Sequence, residues 1–392
     1  MVIRFVIFFA VMTALVAVTH VYLYRRLVRD TLTHKRARTL GLVAVVTLAL
    51  LMIGGRFLAR YWPNELTKFL GDIGFVWMGV ALFLVLALLA VGGITRGANW
   101  VTRIVGRNAP RPAGAVDPER RVFLARSVAG GAAVLAGGAT SFGVWRAYHP
   151  PEITEVSIRL PRLARAMDGL SIVQLTDIHV GNMVERRFLD ELVQRTNSLR
   201  PDVVAITGDL VDGDVATLGS SVAALANLRS RYGTFFVTGN HEYYSGEREW
   251  TAFLDRLGVH VLRNRHVRIG DDSASLDLLG VDDWGARRSG GGYDLDAALA
   301  GRESDRAAVL LAHQPANFRE AASRGIGLQL SGHTHGGQIF PFTLAVSLAW
   351  EFAAGLYRAG DSAIYVSRGC GFWGPPMRVA SPPELVKVIL TA

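Results

Sequence analysis

Cysteine is all but missing: Cys370 is the only one in 392 residues. No intrachain disulfide can form, so any stability outside a reducing compartment must come from packing or from bound ions. Cys370 itself lies in a Gly-rich turn and reads as an inert small residue. Internal repeats and low-complexity tracts are absent as well, which excludes solenoids, arrays and compositionally disordered chains. Charge is sparse: only 19% of residues are charged and half are apolar. The mean hydropathy of +0.27 is high for a wholly soluble protein.

The apolar excess lies almost entirely before residue 148. Residues 5–24, 40–58 and 72–94 each approach the roughly 20 apolar residues that span a bilayer core. A fourth stretch, 122–145, is richer in Gly and Ala and carries Arg126 near its start, where the side chain can snorkel to the interface. Its small residues, Gly130, Gly131, Gly137 and Gly138, are expected to allow close packing on neighbouring helices. Among ionisable groups His20 is the main candidate in the first span, Arg126 lies near an end and Asp72 at a boundary, so no polar pathway of the transporter kind is visible.

The net charge of +9 is explained by membrane topology. Arg25, Arg26, Arg29, Lys35, Arg36 and Arg38 fill the loop after the first span, and Arg96, Arg103, Arg107, Arg111, Arg120 and Arg121 the loop after the third. Both loops are then cytoplasmic, and the chain emerges on the other side after the fourth span. Residues 106–120 form a polar, Pro-containing linker. It ends in Arg120-Arg121-Val122-Phe123-Leu124, which resembles a twin-arginine export signal, although Glu119 and Ala125 depart from that pattern. Export by that route and plain positive-inside anchoring place the remainder of the chain on the same side. The expected organisation is a transmembrane region over 1–148 and one soluble domain over 149–392.

Past His149-Pro150-Pro151 the pattern changes to alternating strands and amphipathic helices. Strands are expected at 155–160, 170–175, 203–206, 234–237, 259–262, 276–280, 308–311, 327–330, 363–366 and 385–390, and helices at 185–199, 222–228 and 247–257. Five short segments carry carboxylate, imidazole and amide groups, each just past the end of an apolar strand. They are Asp177-Ile178-His179, Gly208-Asp209, Gly239-Asn240-His241-Glu242, His313-Gln314-Pro315 and Gly332-His333-Thr334-His335. Loops at strand ends bring distant positions onto one rim above a rigid sheet.

A single zinc site would use about four ligands, and here the N and O donors outnumber that, so two ions suit the set better. Two ions about 3.5–4 Å apart can clamp both oxygens of an in-line displacement at phosphorus. Taken in order, the segments resemble the calcineurin-like metallophosphoesterase pattern D-x-H, G-D, G-N-H-[DE], H and G-H-x-H, over about residues 170–370. The resemblance extends to a membrane-anchored bacterial branch of that family, through Gly336-Gly337-Gln338-Ile339-Phe340-Pro341-Phe342 and the loop 369–378.

The resemblance implies an α/β (α+β) fold in which two β-sheets form a sandwich flanked by helices, here preceded by four transmembrane helices. It implies that Asp177, His179 and His335 hold one metal, that Asn240, His313 and His333 hold the other, and that Asp209 bridges them. The ions would be manganese, zinc or iron, since such donors do not select sharply. A hydroxide between them would attack phosphorus, with His241 stabilising the transition state or protonating the leaving oxygen. Glu242 is expected either to orient His241 or to lie at the surface.

Phe340, Phe342, Phe372 and Trp373 would form an apolar substrate wall, dip into lipid headgroups or close the core, with Arg378 at a substrate phosphate. Val281-Asp282-Asp283-Trp284-Gly285 reads as a polar turn. The leading expectation is a membrane-anchored phosphoesterase in a bacterial cell membrane with its domain outside the cytosol, acting on a phosphate ester that is lipid-linked or soluble. Two alternatives stay open, a non-catalytic metal-binding docking module and a nuclease. Against the nuclease, no basic stretch interleaved with aromatics lies beside the ligands.

Overall fold

A computed structural model describes residues 2–62, 64–105, 117–289 and 292–392. Residues 106–116 of the expected linker, with Arg107 and Arg111, lie outside the described residues. The chain divides into two compact units, Met1–Phe142 and Gly143–Ala392.

The first unit holds α1 (Val2–Leu23), which continues into a π-helical turn, α2 (Lys35–Tyr61), α3 (Glu65–Val105) and most of α4 (Pro118–Tyr148). All four are long and apolar enough to cross a membrane, over Phe9–Arg29, Lys35–Ala59, Glu65–Ile94 and Pro118–Tyr148. The helices overrun the apolar stretches because flanking Arg, Lys and Glu are good helix formers and extend the hydrogen-bond ladder.

Close packing falls at other glycines than expected. A Cβ on Gly130, Gly131, Gly137 or Gly138 would meet nothing within 4 Å. The tight crossing is between α2 and α3, where a Cβ on Gly55 would lie 3.0 Å from the Gly71 Cα and one on Gly74 2.5 Å from the Leu51 carbonyl oxygen. His20 is fully bonded, to the Val16 carbonyl and the Trp77 indole N–H, each at 2.8 Å. Arg126 donates to the Thr31 carbonyl.

The second unit runs β1 (Glu152–Arg159), β2 (Ser171–Leu175), α5 (Arg186–Ser198), β3 (Val203–Ile206), α6 (Val215–Val222), β4 (Thr234–Phe236), α7 (Asn240–Ser245), α8 (Glu247–Arg256) and β5 (His260–Val261). It continues with β6 (Arg265–Gly270), β7 (Ser275–Gly280), α9 (Leu295–Leu299), β8 (Ala308–Leu311), α10 (Phe318–Ser323), β9 (Leu328–Ser331), α11 (Phe342–Ala349), β10 (Gly355–Ala359), β11 (Ser362–Val366) and β12 (Glu384–Thr391). Two six-stranded sheets result, ordered β1-β12-β2-β3-β4-β5 and β10-β11-β9-β8-β7-β6.

Strand alternation assigns each side chain to a layer. Ile172, Val203, Ala205 and Phe235 of the first sheet join Leu278, Val309, Leu311, Leu328 and Leu330 of the second in one buried cluster between the sheets. The intervening Val173, Leu175, Val204, Ile206 and Phe236 face outward and pack under Leu189 and Leu192 of α5 and under Trp250 and Leu254 of α8. On the far side, Leu279 and Leu310 pack beneath Leu295 and Ala298 of α9. The architecture is the expected helix-flanked two-sheet sandwich, preceded by four apolar helices.

Two strands escape the sequence reading, β6 and β10. Both are edges of the second sheet, where one flank is solvated and Arg265, Arg268 and Arg358 interrupt the apolar alternation. The helix expected at 222–228 begins earlier, as α6, because Asp214 caps it by accepting from the Thr217 amide at 2.9 Å; residues 223–227 form a 3-10 turn.

Strands β2, β3 and β4 are mutually parallel, as are β8 and β9, so within each sheet the segments of interest leave along one rim. Gln174 joins the two rims, its Nε2 donating to Thr207 Oγ1 at 2.8 Å and to the Ser331 carbonyl at 2.9 Å. Phe236, wholly buried three residues before Gly239, anchors the outer layer. Phe236→Ala is expected to cost about 3–5 kcal/mol, read as a lower denaturant midpoint of the second unit.

Candidate metal centre

The loops after β2 and β3 stay paired beyond the strands. Asp177 N–H donates to the Gly208 carbonyl and His179 N–H to that of Asp209, both at 3.1 Å, and Val180 bridges Val211. This register draws Asp177, His179, Asp209 and Asp212 together. The second sheet contributes His313 after β8, and His333 and His335 after β9.

Three groups of donor atoms result, each within 4.8 Å: Asp177, His179 and His335; Asp209, His313 and His333; and His179, Asp212 and His241. Asp209 Oδ2 lies between them. It is 3.1 Å from His313 Nε2 and 3.9 Å from the Nε2 atoms of both His179 and His241. His335 Nε2 lies 3.1 Å from His179 Nε2 and 3.4 Å from Asp177 Oδ1, and His333 Nδ1 lies 3.2 Å from His313 Nε2.

The donor set fits divalent cations for two reasons visible in the bonding. His313 Nδ1 faces the Thr207 carbonyl at 2.9 Å and His179 Nδ1 faces Asp212 Oδ1 at 3.0 Å. Each acceptor fixes the proton on Nδ1 and leaves the Nε2 lone pair aimed into the cluster, the arrangement of a ligating imidazole. Asn240 Oδ1, moreover, is buried with no hydrogen-bond partner among the described residues, an orphan that ordinarily costs about 1–3 kcal/mol and that a cation would satisfy.

Backbone strain concentrates at the same place. Of the ten non-glycine residues with left-handed φ among the described residues, five are Asp177, His179, Asp209, His333 and His335, at +49° to +74°. Such conformations cost roughly 1–3 kcal/mol each and persist where surrounding contacts over-determine them. Here His333 N–H donates to both Asp177 oxygens at 3.0 Å, and His241 N–H to Asp209 Oδ1 at 2.9 Å. Glycines make room for these carboxylates: a Cβ on Gly332 would overlap Asp177 Oδ2, and one on Gly239 would overlap Asp209 Oδ1.

The electrostatics show a cluster short of positive charge. Burial disfavours the His179 imidazolium, yet Asp212, Asp209 and Asp177 outweigh it and raise the pKa to about 9. His313 behaves alike: burial is overcome by Asp209, and the pKa is raised well above the usual histidine range. His333, half-buried and facing His313, is lowered to about 3 by desolvation and by that imidazole, and His335 is lowered by burial and Arg378. The carboxylates thus draw positive charge toward His179 and His313, a demand that bound cations would meet.

Two residues take roles that differ from the sequence reading. Glu242 neither orients His241 nor lies at the surface. It is wholly buried and accepts from the backbone amides of Gly239, Asp209 and Leu210 at 2.6, 3.0 and 2.8 Å, because the turn leaves those donors otherwise unpaired. Arg378, expected at a substrate phosphate, is fully buried. Its guanidinium donates to the Gly371 and His335 carbonyls and lies 3.0 Å from His335 Nδ1, so it fixes the loop of a candidate ligand and presents nothing to solvent. Phe372 takes one of the expected alternatives and closes the core, buried against Tyr148.

Phe340 and Trp373 are exposed at the rim, 43% and 55%, with the Trp373 ring 5.8 Å from that of His241. In the turn after β7, Asp282 is held by Arg263 at 2.8 Å and Asp283 by Gln314 at 2.9 Å.

Asp212 was missed by sequence reasoning. Its Oδ1 accepts from His241 Nδ1 at 2.6 Å as well as from His179 Nδ1, orienting one candidate ligand and the candidate proton donor together. The available signal was its place three residues after Asp209.

A family profile described as calcineurin-like phosphoesterase matches residues 170–337. A transmembrane protein with metallophosphoesterase domain from Bos taurus is 40% identical over 312 residues, covering 76% of this chain and 70% of that protein. One of the same description from Danio rerio is 35% identical, covering 88% and 79%. An uncharacterized metallophosphoesterase from Helicobacter pylori is 42% identical, covering 62% and 65%. The similarity is therefore not confined to bacterial proteins.

Two substitutions test the geometry. Gly332→Ala should displace the Asp177 carboxylate and abolish metal retention, measured as bound metal per chain after gel filtration. Asp212→Ala should lower activity or metal affinity by roughly 10–100-fold, measured by kcat/KM on an aryl phosphodiester and by metal titration.

Proposed function

The chain belongs to the calcineurin-like phosphoesterase family, and from that premise we propose that it is a membrane-anchored, two-metal phosphoesterase acting on phosphate esters presented at a membrane. The observation that carries this reading is the convergence of Asp177, His179, Asp209, His313, His333 and His335 from two sheets onto one buried cluster, with Asp209 Oδ2 central to it. Asp177, His179 and His335 would hold one ion, and His313, His333 and Asn240 the other, with Asp209 shared. When bound, manganese, zinc or iron ions would act as Lewis acids, polarising phosphoryl oxygens and making water acidic enough to attack near neutral pH.

The chain's own part is positioning and proton transfer. His241, with Nδ1 bonded to Asp212, presents Nε2 toward Asp209 Oδ2 and the cluster. The Asp212 carboxylate orients that ring, and Nε2 is the atom from which a proton can pass to the leaving oxygen. No protein nucleophile is needed. Burial of the carboxylates keeps the local dielectric low, which strengthens these interactions with developing charge.

The four apolar helices support anchoring by several spans, and the distribution of Arg and Lys supports a domain outside the cytosol of a bacterial cell. Tethering favours a lipid-linked phosphate as substrate. Hydrolysis of vesicle-embedded phosphodiesters should then exceed that of soluble ones, and equal rates would remove the lipid preference.

The central test is a metal-reconstituted activity screen across lipid, nucleotide and aryl phosphates. Activity should vanish on chelation and return with metal, and Asp209→Ala should abolish both metal binding and turnover. His241→Ala should keep the metal while kcat falls roughly 10²–10⁴-fold. A wild type whose rate equals that of Asp209→Ala would favour a docking module instead.

A further inference from the structure

The segment that follows the last ligand carries no charged side chain from Gly336 to Trp350. It contains α11, Phe-Thr-Leu-Ala-Val-Ser-Leu-Ala, in which no residue is buried. Phe342, Leu344 and Leu348 are 53%, 57% and 88% exposed. In water such a surface is a liability, and contiguous exposed apolar patches mark interaction sites.

We propose that α11, together with Phe340 and Trp373, is an interfacial element that inserts into the lipid bilayer and holds the metal centre at the membrane surface, where it takes phosphoesters whose lipid chains remain in the bilayer. The substrate half rests on the phosphoesterase reading above; the docking half does not.

Three observations favour lipid as the occupant. The same chain carries four apolar helices long enough to span a membrane, so a bilayer is within reach of a tethered domain at high effective concentration. The hydroxyl of Ser347 is satisfied within the helix, donating to the Thr343 carbonyl at 2.8 Å, so it asks nothing of water when transferred to an apolar medium. And an eight-residue helix is about 12 Å long, too short to supply the roughly 800 Å² per partner of a stable protein interface. It suffices for an element lying in the headgroup region, where Trp and other aromatics concentrate.

The element is coupled to the site at both ends. Gln338 Nε2 donates to the Trp373 carbonyl at 2.8 Å, and Trp373 N–H donates back to Gln338 Oε1 at 2.9 Å. The Trp373 ring meets His241, and the Trp350 ring, just past α11, lies 5.2 Å from that of His333. A headgroup phosphate beside Trp373 is therefore already beside His241.

The test places a nitroxide label at Leu348→Cys, and for comparison at Ser273→Cys in an exposed turn, in the full chain reconstituted into phosphatidylcholine–phosphatidylglycerol vesicles. Oxygen should relax the label at 348 several-fold more than a water-soluble nickel chelate does, with the reverse at 273. Equal chelate access at the two positions overturns the docking. So does shielding of position 348 from both reagents, the signature of cover by protein, whether a second copy or this chain's own helices.

For the substrate, Leu348→Glu should lower the rate on vesicle phospholipid at least tenfold relative to that on a soluble aryl phosphodiester. An unchanged ratio overturns that half. If the wild type cleaves neither, the phosphoesterase reading fails, and the label measurement still decides whether α11 enters lipid.

Discussion

The carboxylate of Asp209 is the point on which the second unit turns. One oxygen accepts the His241 amide, and the other stands within 4 Å of three imidazoles that come from both sheets. A carboxylate with 2% exposure can remain ionised only if positive charge or donors surround it. His313, His241 and His179 lower its pKa well below the usual range against the cost of burial. Parallel strands, left-handed loop residues and glycines without room for a Cβ all serve to deliver those groups to one oxygen atom. A sandwich with the same core and ordinary loops would leave them several residues apart along separate rims.

Much of this was legible before the structure because candidate ligand residues and strand ends are both local signals. Asp177, Asp209, His313 and His333 each follow a short apolar run, and the order of the five segments carried the family resemblance. What stayed hidden depends on contacts between segments. Asp212 acquires its role only because Val180 pairs with Val211. Glu242 reads as a partner of His241 or a surface residue until the turn at Gly239 presents three backbone amides to it. Arg378 looks like a phosphate ligand because exposed arginines often are, and burial converts it into a brace for His335. Helix α11 went unanticipated because its run, apolar but for Thr343 and Ser347, has no clear period to detect.

In the first unit, hydropathy located all four helices, while packing detail was not recoverable. Glycines in a helix are compatible both with close approach and with an open lipid face, and only the backbone traces of α2 and α3 show which ones meet. Gly55, Gly71 and Gly74 do, although the fourth stretch is the more Gly-rich. Relatives with the same combination of membrane helices and phosphoesterase domain occur in vertebrates, so the pairing is not a bacterial speciality.

The first strand of the second unit, β1, pairs with β12 alone among the described residues, and the two run parallel from Glu152 beside Glu384 to Arg159 beside Thr391. Thr154 and the Glu384 carboxylate that it bonds are 230 positions apart. Non-local parallel pairing of this kind forms late, since the loop must close before any contact rewards it. During synthesis the helices are made first, and β1 then waits, zipped to nothing, while nearly the whole sandwich is translated. The interval before β12 arrives is the period in which the nascent domain is most open to proteolysis and misassociation.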